Sequence, residues 1–223
     1  MKDVNNIFDD NNVMTDFSTI KKLFHISESN GFANKEIETI KNIFGNLPQV
    51  FVDYYAELGK IQNLNQTQDL LIKPERFQYY QHNDFLIFYS ENQRACVWGI
   101  NKQDLLNANP PVYISYDQKT WLLETETLLE FFTAMAFLQA AFALQFPSES
   151  FKELNQNEID FIVENYKNKN VAFKQWCEGI KFYGNYSDDV IIIMSNNQLF
   201  YSANTEEHFC EMDENLSKLG IEM

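Results

Sequence analysis

The sequence predicts an α+β fold in which helices pack on a mainly antiparallel sheet. Three patterns predict it: several segments repeat apolar residues at helical spacing, a β-rich hairpin interrupts them, and one long apolar helix follows the hairpin. Hydrophobic residues make up 45% of the 223 residues and aromatic residues 15%, which suffices for a buried core. That composition excludes disorder over the whole chain.

The N-terminal quarter is predicted to be helical after a polar start. Residues 1–33 combine a polar, Asn-rich segment with a short helix that Thr15 is placed to cap. Asn34 is placed to cap a second helix, and Pro48 suits the first turn of a third. A glycine follows each of these two helices and marks its end.

Strand patterns dominate the next section of the chain. Residues 70–72 form a short apolar run, and residues 85–89 and 94–100 read as a hairpin. Residues 112–116 follow a Pro-Pro pair and predict a further strand. These runs supply the strands of the predicted sheet.

A buried helix is predicted for residues 126–145. Its apolar part, residues 131–146, is shorter than the roughly 20 residues that a bilayer span needs. Neither end carries Lys or Arg. Because the segment is apolar nearly all round, we expect other elements to cover it on several sides. Residues 34–146 are therefore predicted to form the core unit.

Residues 147–223 are predicted to form a C-terminal β/α extension packed on this core. The stretch after Pro147 is the clearest internal boundary. We expect the extension to continue the first sheet, since about 73 residues carry few long apolar runs. Its predicted elements are a helix at 156–167, strands at 180–183, 190–194 and 199–202, and a helix at 205–218.

The sequence contains no recognisable motif for catalysis or metal binding. The seven glycines are isolated, so no phosphate-binding loop occurs, and there is no serine nucleophile elbow. The histidines and cysteines fall outside metal-binding and CxxC spacings: His25, His82, His208, Cys96, Cys177 and Cys210. The sequence therefore predicts a non-enzymatic protein of the reducing cytoplasm, without cofactor, metal or disulfide.

Charge points to a protein partner. With 32 acids against 17 bases, the formal net charge is -15, which disfavours nucleic acid and anionic membranes and favours a basic protein. Residues 182–217 contain no Lys or Arg but seven acids, which we take as the candidate partner-binding residues: Asp188, Asp189, Glu206, Glu207, Glu211, Asp213 and Glu214. Three of them share one face of the last predicted helix. That face is either merely solvated or a docking surface.

The order of several motifs resembles the SUKH superfamily of bacterial immunity proteins, which is related to a fungal cell-wall assembly regulator. The resemblance covers residues 34–146. It rests on Leu47-Pro48, Tyr54-Tyr55, Leu58-Gly59, Glu91-Asn92-Gln93, Val97-Trp98-Gly99-Ile100, Pro110-Pro111-Val112-Tyr113, Trp121 and residues 128–132. We expect the most conspicuous of these, Leu47, Pro48, Trp98, Gly99 and Trp121, to be structural.

The resemblance implies an α+β fold and a non-enzymatic role in which the protein binds and blocks a cognate toxin domain, often a nuclease. Together with the charge, it predicts a cytoplasmic immunity protein that meets a basic toxin through an acidic surface. Two other hypotheses stay open: a general protein-interaction or regulatory module of the same fold, and an enzyme whose site carries no recognisable motif. The sequence does not predict an oligomeric state.

Overall fold

The computed structural model describes residues 15–194 and 196–222 as a mixture of helices and antiparallel strands, which confirms the α+β prediction. The predicted polar segment 1–14 lies outside the described residues. The described helices are α1 (Ser18–Leu23), α2 (Asn34–Phe44), α3 (Gln49–Leu58), α4 (Gln62–Asn65), α5 (Leu128–Ala143), α6 (Gln156–Asn165) and α7 (Glu206–Leu216).

The strands form two antiparallel sheets. The first sheet is a meander of β1 (Asp69–Leu71), β2 (Phe85–Glu91), β3 (Val97–Asn101), β4 (Val112–Ser115) and β5 (Leu122–Thr125). The second contains β6 (Phe146–Pro147), β7 (Lys152–Glu153), β8 (Asn168–Ala172), β9 (Lys181–Tyr183), β10 (Asp189–Ile193), β11 (Gln198–Ala203) and β12 (Ile221–Glu222). Its order is β12-β7-β11-β10-β9-β8, and β6 also pairs with β11.

The expectation that the C-terminal part extends the first sheet is wrong. No ladder among the described strands joins the two sheets. The last strand of the meander, β5, is met by the backbone of residues 174–176 and not by a further strand. The predicted boundary at Pro147 is itself part of a short strand that pairs with β11.

The long apolar helix α5 lies at the centre of the fold. Thr127 caps its start: its hydroxyl accepts a hydrogen bond from the Glu130 backbone N–H, and the Glu130 carboxylate accepts one from the Thr127 N–H. The helix contacts α1, α3, α4 and β5, and also β6, β8, β10 and β11 of the second sheet. One continuous apolar cluster therefore runs through both halves of the chain.

Aromatic side chains fill the space around this helix. The Tyr54 ring stacks on Phe132 of α5 at 3.6 Å between centroids, and Phe137 lies 5.7 Å from Phe182 of β9. Each aromatic side chain buries a large apolar area, so these pairs tie α3 and β9 to the same helix. Burial on several sides, which the sequence predicted for this helix, is observed.

Packing accounts for the conspicuous Trp and Gly residues. Trp98 is fully buried, with its ring 5.9 Å from Phe131 and 5.4 Å from Trp176. Trp121 stacks on Phe85 at 3.9 Å. A Cβ atom at Gly99 would come within 3.1 Å of the Trp121 ring, so the glycine leaves room for that ring. Trp98 and Gly99 lie in the first sheet, and Trp121 packs against it.

Two predicted helix starts are shifted. Thr15 does not cap α1; its hydroxyl donates a hydrogen bond to Asp53 at 2.6 Å, and Phe17 precedes the helix. Asn34 is the first residue of α2, and Ala33 before it has its N–H bonded to the Glu36 carboxylate. Neither helix therefore begins with a side-chain cap from the predicted residue.

A buried carboxylate joins the two halves. Glu124 of β5 is fully buried, and its Oε1 accepts hydrogen bonds from the backbone N–H groups of Lys174 at 2.7 Å and Gln175 at 2.9 Å. The N–H of Trp176 lies 3.2 Å from Oε2. Burial raises the pKa of Glu124 above its ordinary value, and these donors offset part of that rise. The side chain thus holds the chain between β8 and β9 against the first sheet.

We expect Glu124→Ala to lower the free energy of unfolding by about 3 kcal/mol, because three backbone donors lose their acceptor. Glu126→Ala is the matched control: Glu126 pairs with Lys174 at an exposed position, where an ion pair contributes about 0–1 kcal/mol. Urea unfolding of both variants measures the difference. Equal losses in the two variants would contradict the role given to Glu124.

A glutamine on α5 fixes the first strand of the meander. Gln139 is fully buried; its Nε2 donates to the backbone carbonyl of Asp69 at 2.7 Å, and its Oε1 accepts from the Gln68 N–H at 2.6 Å. The Asp69 carboxylate is also buried, opposite Glu91, and neither oxygen has a donor in good hydrogen-bonding geometry among the described residues. Burial and repulsion from Glu91 raise the pKa of Asp69 to about 7, although the backbone N–H of Asn92 lowers it somewhat.

This carboxyl group makes stability depend on pH. Its folded-state pKa lies above the ordinary value of 3.8, so the fold favours the protonated form. The corresponding stability is fully present below about pH 4 and is lost as the pH rises through about 7. Asp69→Asn stays neutral, so we expect it to be more stable than the parent at about pH 8, by roughly 3 kcal/mol.

Urea unfolding at acid and at slightly alkaline pH tests this pH dependence. The proteins compared are the parent, Asp69→Asn and the exposed control Asp84→Asn. The advantage of Asp69→Asn should shrink as the pH falls to about 4. An advantage that does not change with pH, or a variant less stable than the parent at alkaline pH, would show that Asp69 does not titrate as described.

Candidate functional site: an acidic cleft beside the last helix

The seven candidate acids fall into two groups. Glu206, Glu207, Glu211 and Glu214 are exposed on α7, and Asp213 on the same helix is half-buried. Asp188 and Asp189 are buried, with 3% and 0% of their surface exposed. Their burial leaves these two candidates little surface for direct contact with a partner, and the physical reason is the set of partners that each carboxylate has inside the chain.

Asp189 organises the turn before its own strand. Its carboxylate contacts the Lys169 Nζ of β8 at 2.8 Å and accepts hydrogen bonds from the backbone N–H groups of Asn185 at 2.9 Å and Tyr186 at 3.1 Å. A buried charge needs a cation and several donors, and Asp189 has both. Its role is to fix the turn that carries Tyr186.

Asp188 connects three separate parts of the chain. Its Oδ1 lies 2.6 Å from the His208 Nδ1 on α7, and its Oδ2 lies 3.4 Å from the His25 Nε2 after α1. Its backbone carbonyl accepts from the Asn204 N–H at 2.9 Å, and the Asn204 side chain donates to the Leu23 carbonyl at 2.7 Å. The start of α7 is thereby fixed against α1 and the turn.

A cleft of about 450 Å³ lies between α6, the turn at residues 185–186 and α7. Two of the candidate acids, Glu211 and Glu214, line it. None of the described lining residues is basic. The lining consists of Phe161, Asn165, Tyr166, Asn185, Tyr186, Glu211, Met212, Glu214 and Asn215.

Tyr186 holds one of these carboxylates in place. Its hydroxyl donates a hydrogen bond to the Glu211 Oε2 at 2.5 Å, and its ring stacks on His208 at 3.7 Å with the planes 2° apart. The hydrogen bond to Glu211 raises the pKa of Tyr186, and partial burial and the nearby acids add to the effect. The side chain therefore bridges the turn to α7, and both groups face the cleft.

The rest of α7 is anchored by its apolar side. Met212 and Leu216 are buried, as the predicted two-faced helix requires. Asp213 accepts a hydrogen bond from the Tyr201 hydroxyl of β11 at 2.5 Å. Burial, and then this contact with Asp213, raise the pKa of Tyr201. Asp213 thus secures the helix to the second sheet, while Glu207, Glu211 and Glu214 face outward.

The cleft has the chemistry of a cation-binding surface. It presents two carboxylates, two phenol rings and three side-chain amides, which suit an ammonium or guanidinium group. The charge pattern of the sequence indicated the acids but not Tyr166, Tyr186 or the asparagines. The Asn185-Tyr186 pair lies just before the two aspartates in the sequence. It becomes part of a cleft because the fold places α6 and α7 beside it.

Comparison with family models, with curated proteins and with solved structures finds no match to this chain. Within residues 15–194 and 196–222, no three His, Cys, Asp or Glu side chains are arranged to hold a metal ion. No described helix has both the length and the apolar character needed to cross a bilayer.

We expect Asp188→Ala to lower the free energy of unfolding by about 2 kcal/mol, because it removes the charged acceptor that joins His208 and His25. Glu214→Ala is the control on the same surface and should change stability by no more than about 0.5 kcal/mol. Thermal or urea unfolding reports both values. If Asp188→Ala is as stable as the parent, this buried carboxylate does not hold α7 in place.

Proposed function

We propose that the protein is a non-enzymatic immunity protein that binds a basic toxin domain of nuclease type and blocks its active surface. The acidic cleft, with Glu211 and Glu214 on a firmly anchored helix, is the observation that carries the proposal. It agrees with the function implied by the resemblance to the SUKH superfamily.

Electrostatics supports this choice of partner. A nuclease domain needs a basic surface to hold phosphates. A chain with a net charge of -15 attracts such a surface and accelerates the encounter. A specific interface buries about 1,600 Å² in total, so the cleft would form only part of it. The exposed Glu206 and Glu207 at the start of α7 extend the same acidic surface.

The buried acids contribute by holding this surface rigid. Asp188 fixes the start of α7, Asp189 fixes the turn, and Tyr186 joins the turn to Glu211. Side chains that are already fixed lose little conformational entropy on binding. The proposed contact residues are therefore Glu206, Glu207, Glu211 and Glu214. Asp188, Asp189 and Asp213 hold α7 and the adjacent turn in place.

A charge-reversal experiment tests the proposal. Glu206, Glu207 and Glu214 are changed together to Lys, and Glu211 is left in place to keep its bond to Tyr186. The partner to be tested is the product of the gene adjacent to the one that encodes this protein. We expect at least a tenfold lower association rate, a weaker dependence of that rate on salt, and loss of growth rescue on co-expression.

The matched control reverses three exposed acids of the N-terminal half, Glu28, Glu38 and Asp84, so the net charge changes equally. If both triple variants associate at the same rate, net charge and not α7 steers binding. If the parent neither binds the adjacent gene product nor rescues growth, the proposed function is wrong.

A further inference from the structure

We infer that a second cleft, in the first half of the chain, binds a small carboxylate ligand with an apolar body. The chain contains two arginines, Arg76 and Arg94, and both line this cleft together with Lys73. They are 18 residues apart in sequence, and the fold brings them to one cavity of about 360 Å³. That volume lies in the range of small-molecule sites.

The walls of this cleft are fixed by backbone hydrogen bonds. The Ile72 N–H donates to the Phe88 carbonyl at 2.9 Å, and the Ile72 carbonyl accepts from the Tyr55 hydroxyl at 2.8 Å. The Arg94 N–H donates to the Glu91 carbonyl at 2.9 Å across the turn between β2 and β3. The Arg76 N–H donates to the Lys73 carbonyl at 2.8 Å, so both arginines stand on structured backbone.

Arg94 occupies a strained backbone conformation. Its φ is +66°, in the left-handed region that side-chain-bearing residues seldom adopt, at a cost of about 1 kcal/mol. The turn is held by Glu91, whose Oε2 accepts from the N–H groups of Gln93 at 2.7 Å and Ala95 at 2.9 Å. The backbone that carries Arg94 is thereby fixed beside the cleft.

The cations of the cleft have no close ion-pair partner among the described residues. Lys73, Arg76 and Arg94 form no ion pair with a carboxylate there, although acids outnumber bases almost two to one in the sequence. The Arg76 guanidinium lies 5.4 Å from the Tyr79 ring centroid, a contact that leaves its N–H edge able to donate. Guanidinium groups match the two oxygens of a carboxylate.

The remaining lining narrows the ligand class. Glu91 and Glu75 also line the cleft, so three bases face two acids, and a monoanion suits this balance better than a dianion. Leu70, which is 38% exposed, and Tyr80 supply an apolar wall. A carboxylate attached to an apolar ring or chain satisfies both features.

Binding of benzoate, phenyl phosphate and phenol, measured by calorimetry at low ionic strength, tests this inference. We expect benzoate to bind more tightly than phenyl phosphate, and phenol to bind least. Arg76→Gln and Arg94→Gln should each weaken benzoate binding about tenfold. Lys119→Gln, at an exposed lysine outside the cleft, should leave it unchanged.

Three results would overturn the inference: no benzoate binding to the parent at millimolar concentration, equal affinities in the parent and the arginine variants, or tighter binding of phenyl phosphate or phenol than of benzoate. Circular dichroism and the melting temperature of each variant separate loss of binding from loss of fold. The result is independent of the toxin experiment, because that experiment changes no residue of this cleft.

Discussion

One constraint organises the molecule: the helix α5 is apolar nearly all round and must be covered on several sides. A single sheet covers one face of a helix. The chain therefore supplies the five-stranded meander and three short helices from its first part, and β6, β8, β10 and β11 from its second. Glu124 and Gln139 add polar contacts at the edges of this core, where backbone groups would otherwise lack partners.

The arrangement of charge follows from this core. Since so much apolar surface is buried around α5, most acids stay outside, and most of those that enter are held by particular hydrogen-bond or ion-pair partners. Asp189 meets Lys169, and Asp188 meets two histidines. These buried acids support the acidic surface of α7. Asp69 is the exception, because its carboxylate has no donor in good hydrogen-bonding geometry among the described residues.

Local patterns in the sequence predicted the elements whose formation depends mainly on residues close together in the chain. The apolar run of α5, the β2–β3 hairpin and the last helix, α7, are all observed. The sequence did not show β8, whose residues NKNVA are mostly polar, or β5, which has only four residues. It also gave no sign that Asp188 is buried, because its partners His25 and His208 are distant in sequence. Long-range contacts decide each of these features.

Both sheets share one core through α5. Native-state hydrogen exchange of the amides in β3 and β10 tests this sharing, because each strand lies in a different sheet. If the core is shared, the slowest amides of both strands open with the same free energy, equal to that of global unfolding. If those of β10 open with a clearly lower free energy while those of β3 stay protected, the second sheet is a separate folding unit and the account is contradicted.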